Sequence, residues 1–247
     1  MINSPHLPPS TEPGGALVSA TFRHYALSLI ASVALIGCAS NEEKVTAVLD
    51  EAVPSGLSTY SDMRTFPGNV TCGKYLDYDW QGMPEYKRFI VVDTVSNLRP
   101  TDMDMEIFCS EKPLEALNNS LGIDYLAQKA TIARIMKDFE ALADPLLAYE
   151  QDNNYFPTTE QGLEALIEPS KVGSYPRRFR EGGYIQQIPV DPWNNAYDYT
   201  CSSFAGIRTV YKIRSFGADG QEGGSGPNAD IHVKHMKYFK HLDQVYN

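Results

Sequence analysis

Three stretches decide the fold: Tyr155–Leu163, YFPTTEQGL; Ile188–Tyr199, IPVDPWNNAYDY; and Ser215–Ile231, SFGADGQEGGSGPNADI. The third has almost nothing apolar to bury. It has glycines at 217, 220, 223, 224 and 226, and oxygen-bearing side chains at Asp219, Gln221, Ser225, Asn228 and Asp230. Glycine admits positive φ, so such a backbone can turn sharply and aim several carbonyls inward. Hard cations such as Ca²⁺ collect oxygens of this kind. Composition alone leaves two readings open, a solvated flexible loop and a loop ordered around Ca²⁺. An EF-hand does not fit, because the third and twelfth positions would be Gln221 and Asp230. Gly223, Gly224 and Gly226 echo the repeat of calcium-binding β-rolls, but a single copy builds no roll.

Upstream, Ile132, Ile135, Met136, Phe139, Leu142, Ala143 and Leu146 recur at three-and-four spacing, which predicts a long helix with one apolar stripe. Pro145 cannot donate its backbone hydrogen bond, so a kink or break is expected there, with Asp144 available to cap a second segment. PTTEQG predicts a turn into a short helix, with Thr158 or Thr159 as cap over Gln161 or Glu164. Pro189, Asp191 and Pro192 punctuate a loop, and Trp193, Tyr197 and Tyr199 are expected in the core.

In order and spacing, LLAYEQDNNYFPTTEQGLEAL, GGYIQQIPVDPWNNAYDY and SFGADGQEGGSGPNADI resemble the soluble part of the major pseudopilin, the G subunit of type II secretion systems. The resemblance runs from about Thr131 to Ile231, about 40% of the chain. It implies an α+β fold in which a long helix packs on a small antiparallel sheet and Ca²⁺ orders the loop near the C-terminus. Carried over, the ligands are the carboxylates of Asp219 and Asp230, the carbonyls of Phe216 and Gln221, and the side chain of Ser225 or Asn228. Asn228 stands where that family often has an acid, which implies weaker affinity.

The N-terminal region carries a different address from that family's membrane helix. Arg23 and His24 precede the apolar run Tyr25–Ile36, which ends in Leu35-Ile36-Gly37-Cys38. The run is short for a membrane span and has the order of a secretory signal. Its ending resembles a bacterial lipobox, which implies an acylated Cys38 as the mature N-terminus. Ala39 in the next position implies sorting to the outer membrane, facing the periplasm or the cell surface. A formal charge of −10 argues against a nucleic-acid partner. Of the three cysteines besides Cys38, Cys72 and Cys109 flank a strand candidate at Arg88–Val95 and are the expected disulfide, whereas Cys201 is expected to be a buried free thiol.

The expected division is a leader and signal (1–37), a small α+β domain (38–121), the pseudopilin-like domain (122–231) and an extension (232–247). In the second, Val45–Val53 reads as helix, and Val70–Tyr75, Lys87–Val92 and Met105–Cys109 read as strands. The acids of DYDWQ and TDMDME read as solvated turn acids, and Lys112–Leu126 as a connector. The extension reads as a short amphipathic helix packed on the domain, with a partner-binding or headgroup-facing helix and a transition-metal site at His232, His235 and His241 as alternatives. No nucleophile–base pair or phosphate loop points to an enzyme. The reading is an outer-membrane lipoprotein working with secretion-system or pilus-like proteins, or else a stand-alone periplasmic binding module reusing the fold.

Overall fold

The computed structural model describes residues 40–53, 59–204 and 208–246. The chain divides after Ala47 into two units, of which the second, Val48–Asn247, contains both sheets. Helix α1 (Asn41–Ala52) leads into a four-stranded antiparallel sheet, β1 (Tyr60–Phe66), β2 (Val70–Tyr78), β3 (Pro84–Val92) and β4 (Val95–Asn97), in chain order. Two short helices follow, α2 (Asp102–Phe108) and α3 (Pro113–Leu121), then the long α4 (Tyr125–Asn153). A three-stranded antiparallel sheet comes next, β5 (Asp198–Phe204), β6 (Arg208–Ser215) and β7 (Ile231–His232), and helix α5 (Met236–Tyr246) closes the chain.

The long helix starts where Asp124 accepts a hydrogen bond from the Ala127 amide, and ends at Asn154 in the left-handed region. Of its predicted stripe, Ile132, Ile135, Phe139, Leu142 and Leu146 are each at most 1% exposed, Met136 and Ala143 are half-buried at its edge, and Tyr149, outside the expected set, extends it fully buried. Of the kink or break expected at Pro145, the break does not occur; the helix runs through it. Leu142 and Leu146 are fully buried on either side, so the packing of the stripe outweighs the one backbone bond that proline removes.

Two further expectations are corrected upstream. The segment Met105–Cys109 is the end of helix α2 and its C-cap, not a strand. Met103, Met105 and Ile107 alternate like a strand, but Thr101 and Asp104 form a reciprocal capping box that starts α2 instead. The Lys112–Leu126 connector is mostly α3, whose Leu117 is fully buried and which stops at Gly122 with φ +65°. Strand β1 had no sequence expectation; it pairs with β2 through a register shift between Ser61 and Arg64. The Cys72–Cys109 disulfide is present, joining β2 to the end of α2.

A contiguous hydrophobic core spans both sheets and the helices between them. It includes Val70, Cys72 and Ile90 from the first sheet, Tyr199, Ile213 and Ile231 from the second, and Phe239 and Leu242 from α5. The other face of the first sheet buries Phe89 and Tyr75, with Tyr60 edge-on to Phe89 and its hydroxyl donating to Asp50 of α1. Helix α5 is the packed amphipathic helix expected of the tail.

Candidate functional site

The glycine-rich segment 216–230 connects β6 to β7 and is built on a scaffold set by the VDPWNN turn. Asp191 is 2% exposed. Its Oδ1 accepts from the amides of Trp193 (3.1 Å) and Asn195 (2.8 Å), while its Oδ2 accepts from the Ser215 hydroxyl at 2.7 Å. Ser215 Oγ in turn accepts from the Gly217 amide at 3.2 Å, and Asn195 Nδ2 donates to the Gly217 carbonyl at 3.1 Å. One buried carboxylate thus fixes both the turn and the first residues of the loop. In the sequence Asp191 stands only as loop punctuation; an acid opening a Pro-Trp-Asn-Asn turn is the available signal.

Two of the glycines are required by close approach. Gly217 has φ +70° and a Cβ there would lie 2.6 Å from the Asn228 carbonyl carbon; Gly224 has φ +88° and its Cβ would lie 2.6 Å from the Asn228 oxygen. The two limbs of the loop therefore cross at Asn228, and any side chain would force them apart. The crossing is bonded, with the Ala218 amide donating to the Pro227 carbonyl at 2.9 Å. The Gly226 amide reaches outside the loop to the Gly122 carbonyl at 2.6 Å, so the end of α3 braces it.

All six predicted ligand residues lie on this one loop. Asp219, Gln221 and Ser225 are exposed, and Phe216, Asn228 and Asp230 are half-buried. Asp219 Oδ1 accepts from the Gln221 amide within its own turn (3.1 Å), whereas Asp230 Oδ1 reaches across to the Gly223 amide (3.1 Å). Arg214 stacks over the Phe216 ring at 4.3 Å and pairs with Asp198 and Glu222, both at 2.7 Å. Its guanidinium is 3.9 Å from Asp230 Oδ2. Hydrogen bonding to Arg214 holds the Glu222 carboxyl below its usual range. Arg214 thus joins three acids, Asp198, Glu222 and Asp230, at the base of the loop. Among the described residues, no group of three or more His, Cys, Asp or Glu side chains is placed to hold a metal ion. The loop's donors are oxygens only, three carboxylates (Asp219, Glu222 and Asp230, of which Glu222 is paired with Arg214) with carbonyl, amide and hydroxyl groups, and that chemistry fits a hard cation rather than a transition metal.

The remaining candidates fall elsewhere. Cys38 lies outside the described residues. Cys201 is a free thiol, half-buried rather than buried, and burial raises its pKa. His235 and His241 are 4% and 2% exposed, and His241 packs on Phe108 with ring centroids 4.9 Å apart. They are core residues. The short helix after PTTEQG is a 3₁₀ turn, Leu163–Leu166. It is preceded by the expected cap: the Gln161 amide donates to Thr158 Oγ1 (3.2 Å) and the Thr158 amide to Gln161 Oε1 (2.9 Å).

Asp104 corrects the reading of solvated turn acids. It is 1% exposed, and accepts hydrogen bonds from the Thr101 amide, the Tyr238 hydroxyl and Lys237. A carboxylate between α2 and α5, 134 residues from Tyr238, could not be seen from sequence.

The family model for the type II secretion system (T2SS), protein G, matches residues 125–234. The type II secretion system core protein G of Vibrio cholerae is 45% identical over 104 residues, which cover 42% of this chain and 68% of that protein. The core protein G of Pseudomonas aeruginosa is 41% identical over 103 residues, covering 42% and 69%. That of Aeromonas hydrophila is 40% identical over 113 residues, covering 46% and 75%. Among solved structures, the major pseudopilin from the type 2 secretion system of enterohaemorrhagic Escherichia coli is 36% identical, with 43% of this chain and 89% of that chain covered at a TM-score of 0.38.

Proposed function

The chain belongs to the type II secretion system protein G family, and from that membership we propose that it is a non-enzymatic envelope component whose pseudopilin-like module is ordered by Ca²⁺. The observation that carries this reading is the loop between β6 and β7. It lies inside the matched segment 125–234, is crossed at Asn228 where only glycine fits, and offers oxygen donors alone. In the proposed site Asp219 and Asp230 supply the charge, and the carbonyls of Phe216 and Gln221 with the side chain of Ser225 or Asn228 complete the shell. Bound Ca²⁺ supplies electrostatic cross-linking of the two limbs, and no reaction. Holding the limbs together holds β7, the short edge strand that follows Asp230.

The second part of the proposal concerns placement. The apolar run Tyr25–Ile36 with its Leu-Ile-Gly-Cys ending supports acylation of Cys38 and an outer-membrane lipoprotein facing the periplasm. Several acyl chains at about 0.8 kcal/mol per buried CH₂ make a stable anchor. No helix among the described residues is long and apolar enough to cross a membrane.

Thermal melts test the metal. Chelation is expected to lower the melting temperature, with Ca²⁺ but not Mg²⁺ restoring it, and Asp219→Ala is expected to remove that response. A melt indifferent to chelator would refute the site. Cys38→Ser should release the chain from membranes without altering its melt; a variant that stays membrane-bound would refute the anchor. Crosslinking in intact cells separates a secretion-system component from a stand-alone binding module, since only the first captures secretion proteins.

A further inference from the structure

Residues 77–87, DYDWQGMPEYK, form the tip of the β2–β3 hairpin, outside the segment 125–234. Trp80 is 90% exposed, Met83 60%, Tyr86 58% and Tyr78 48%. Solvent-facing apolar side chains gathered on one turn mark a contact surface more often than scattered ones do. The turn is stiff, because Asp79 Oδ1 accepts from the amides of Gln81 and Met83, both at 2.8 Å. The strands below stay paired to Tyr78 and Pro84. Three acids, Asp77, Asp79 and Glu85, outnumber Lys87, which pairs with Asp77 at 2.8 Å.

The opposite character lies on residues 171–181, KVGSYPRRFRE, where Lys171, Arg177, Arg178 and Arg180 outnumber Glu181. Tyr175 is 70% exposed and Val172 49%. Of these cations only Arg180 is in an ion pair among the described residues, with Asp152 at 2.7 Å. This loop is also held in shape. Gln161 Nε2 donates to the carbonyls of Val172 (3.0 Å) and Ser174 (2.9 Å), and the Arg178 amide donates to Asn153 Oδ1 (3.0 Å).

We propose that the hairpin tip of one copy docks on the 171–181 loop of a second copy of this chain. Arginine over an indole face gains cation–π attraction, and guanidinium against carboxylate gains charge-assisted hydrogen bonds. Both surfaces are preformed, so little ordering opposes the contact. The acids argue against a lipid surface, since anionic headgroups would repel them and burial beside hydrocarbon would leave them poorly solvated. The two patches differ, so the contact is heterologous and leaves a free hairpin and a free loop at the ends of each assembly. It uses neither the calcium loop nor Cys38 and stands apart from both readings.

Sedimentation velocity of the full chain in mild detergent tests it, at about 50 mM and about 500 mM salt. Expected is a mass that grows with protein concentration at low salt and falls back at high salt. Trp80→Ala and the double change Arg177→Glu/Arg178→Glu should each weaken association at least about tenfold, with unchanged circular dichroism melts. An equimolar mixture of those two variants should form dimers and stop there, because the intact loop of one faces the intact hairpin of the other. A wild-type chain that stays monomeric would overturn the proposal, as would a mixture that forms no dimer. So would a Trp80→Ala variant whose only loss is binding to phosphatidylcholine vesicles.

Discussion

Asp104 ties the tail to α2 through Tyr238 and Lys237. Burial alone would raise its pKa, but hydrogen bonds from Lys237, Thr101 and Tyr238 outweigh that and hold it below the usual carboxylate range. Asp104→Ala removes these bonds and leaves the Tyr238 hydroxyl buried without its acceptor. The expected loss is about 3 kcal/mol, read as a fall in the urea midpoint. A second expectation concerns pH. Burial depresses His235 to about 3, and His241 also falls below the ordinary 6.5. Between about pH 6.5 and the folded values, the unfolded chain binds protons that the folded chain does not. Stability should therefore be complete above about pH 6.5 and decline as pH falls through the window below it. The depressed Asp104 carboxyl acts in the same direction at lower pH, its contribution vanishing as pH falls through its folded value. Unfolding free energy measured from about pH 7 to pH 5 should slope downward, and His241→Phe should flatten part of that slope; a level profile would contradict the account.

At the scale of elements, the sequence was most legible where periodicity and capping agree. The α4 stripe was legible from Ile132 to Leu146, with Tyr149 added only by the structure, because one apolar face at three-and-four spacing leaves little else to form. The Thr158–Gln161 cap was legible for the same reason, being a local exchange of hydrogen bonds. Helix α2 was missed because the strand reading of Met105–Cys109 leaves out the Thr101–Asp104 capping box that starts it. Pro145 does not break the helix, since a lost backbone bond weighs less than two fully buried leucines. The Cys72–Cys109 disulfide closes 37 residues between β2 and α2. Cys72→Ser with Cys109→Ser should destabilise the chain by about 3–4 kcal/mol, measured as a shift in denaturant midpoint. A double variant as stable as wild type would mean that the packing around Val70, Ile90 and Ile107 already holds the two elements together.

For the whole molecule, the family-matched segment ends at Lys234, yet the core does not. Tyr238, Phe239 and Leu242 of α5 are at most 3% exposed, and Tyr125 at the start of α4 stacks on Phe239 at 5.8 Å and donates to Asp243 at 2.8 Å. Burying three such side chains contributes about 5–8 kcal/mol, comparable with the whole stability of a small protein. Removing Met236–Tyr246 should therefore abolish cooperative unfolding and expose dye-binding apolar surface; a truncated chain with a sharp melt would show that the tail is dispensable. By itself the sequence determined the long helix, the cap that follows it and the glycine-rich oxygen-bearing loop, because each is written in neighbours or in a repeating spacing; the cysteine pair, 37 residues apart, followed from the cysteine count and the strand between them. Only the tertiary structure decided that Asp191 and Asp104 are buried anchors, that Gly122 braces the loop, and that the tail completes the core. Those contacts join residues far apart in the chain, where burial and hydrogen bonding are settled by packing and local pattern has no say.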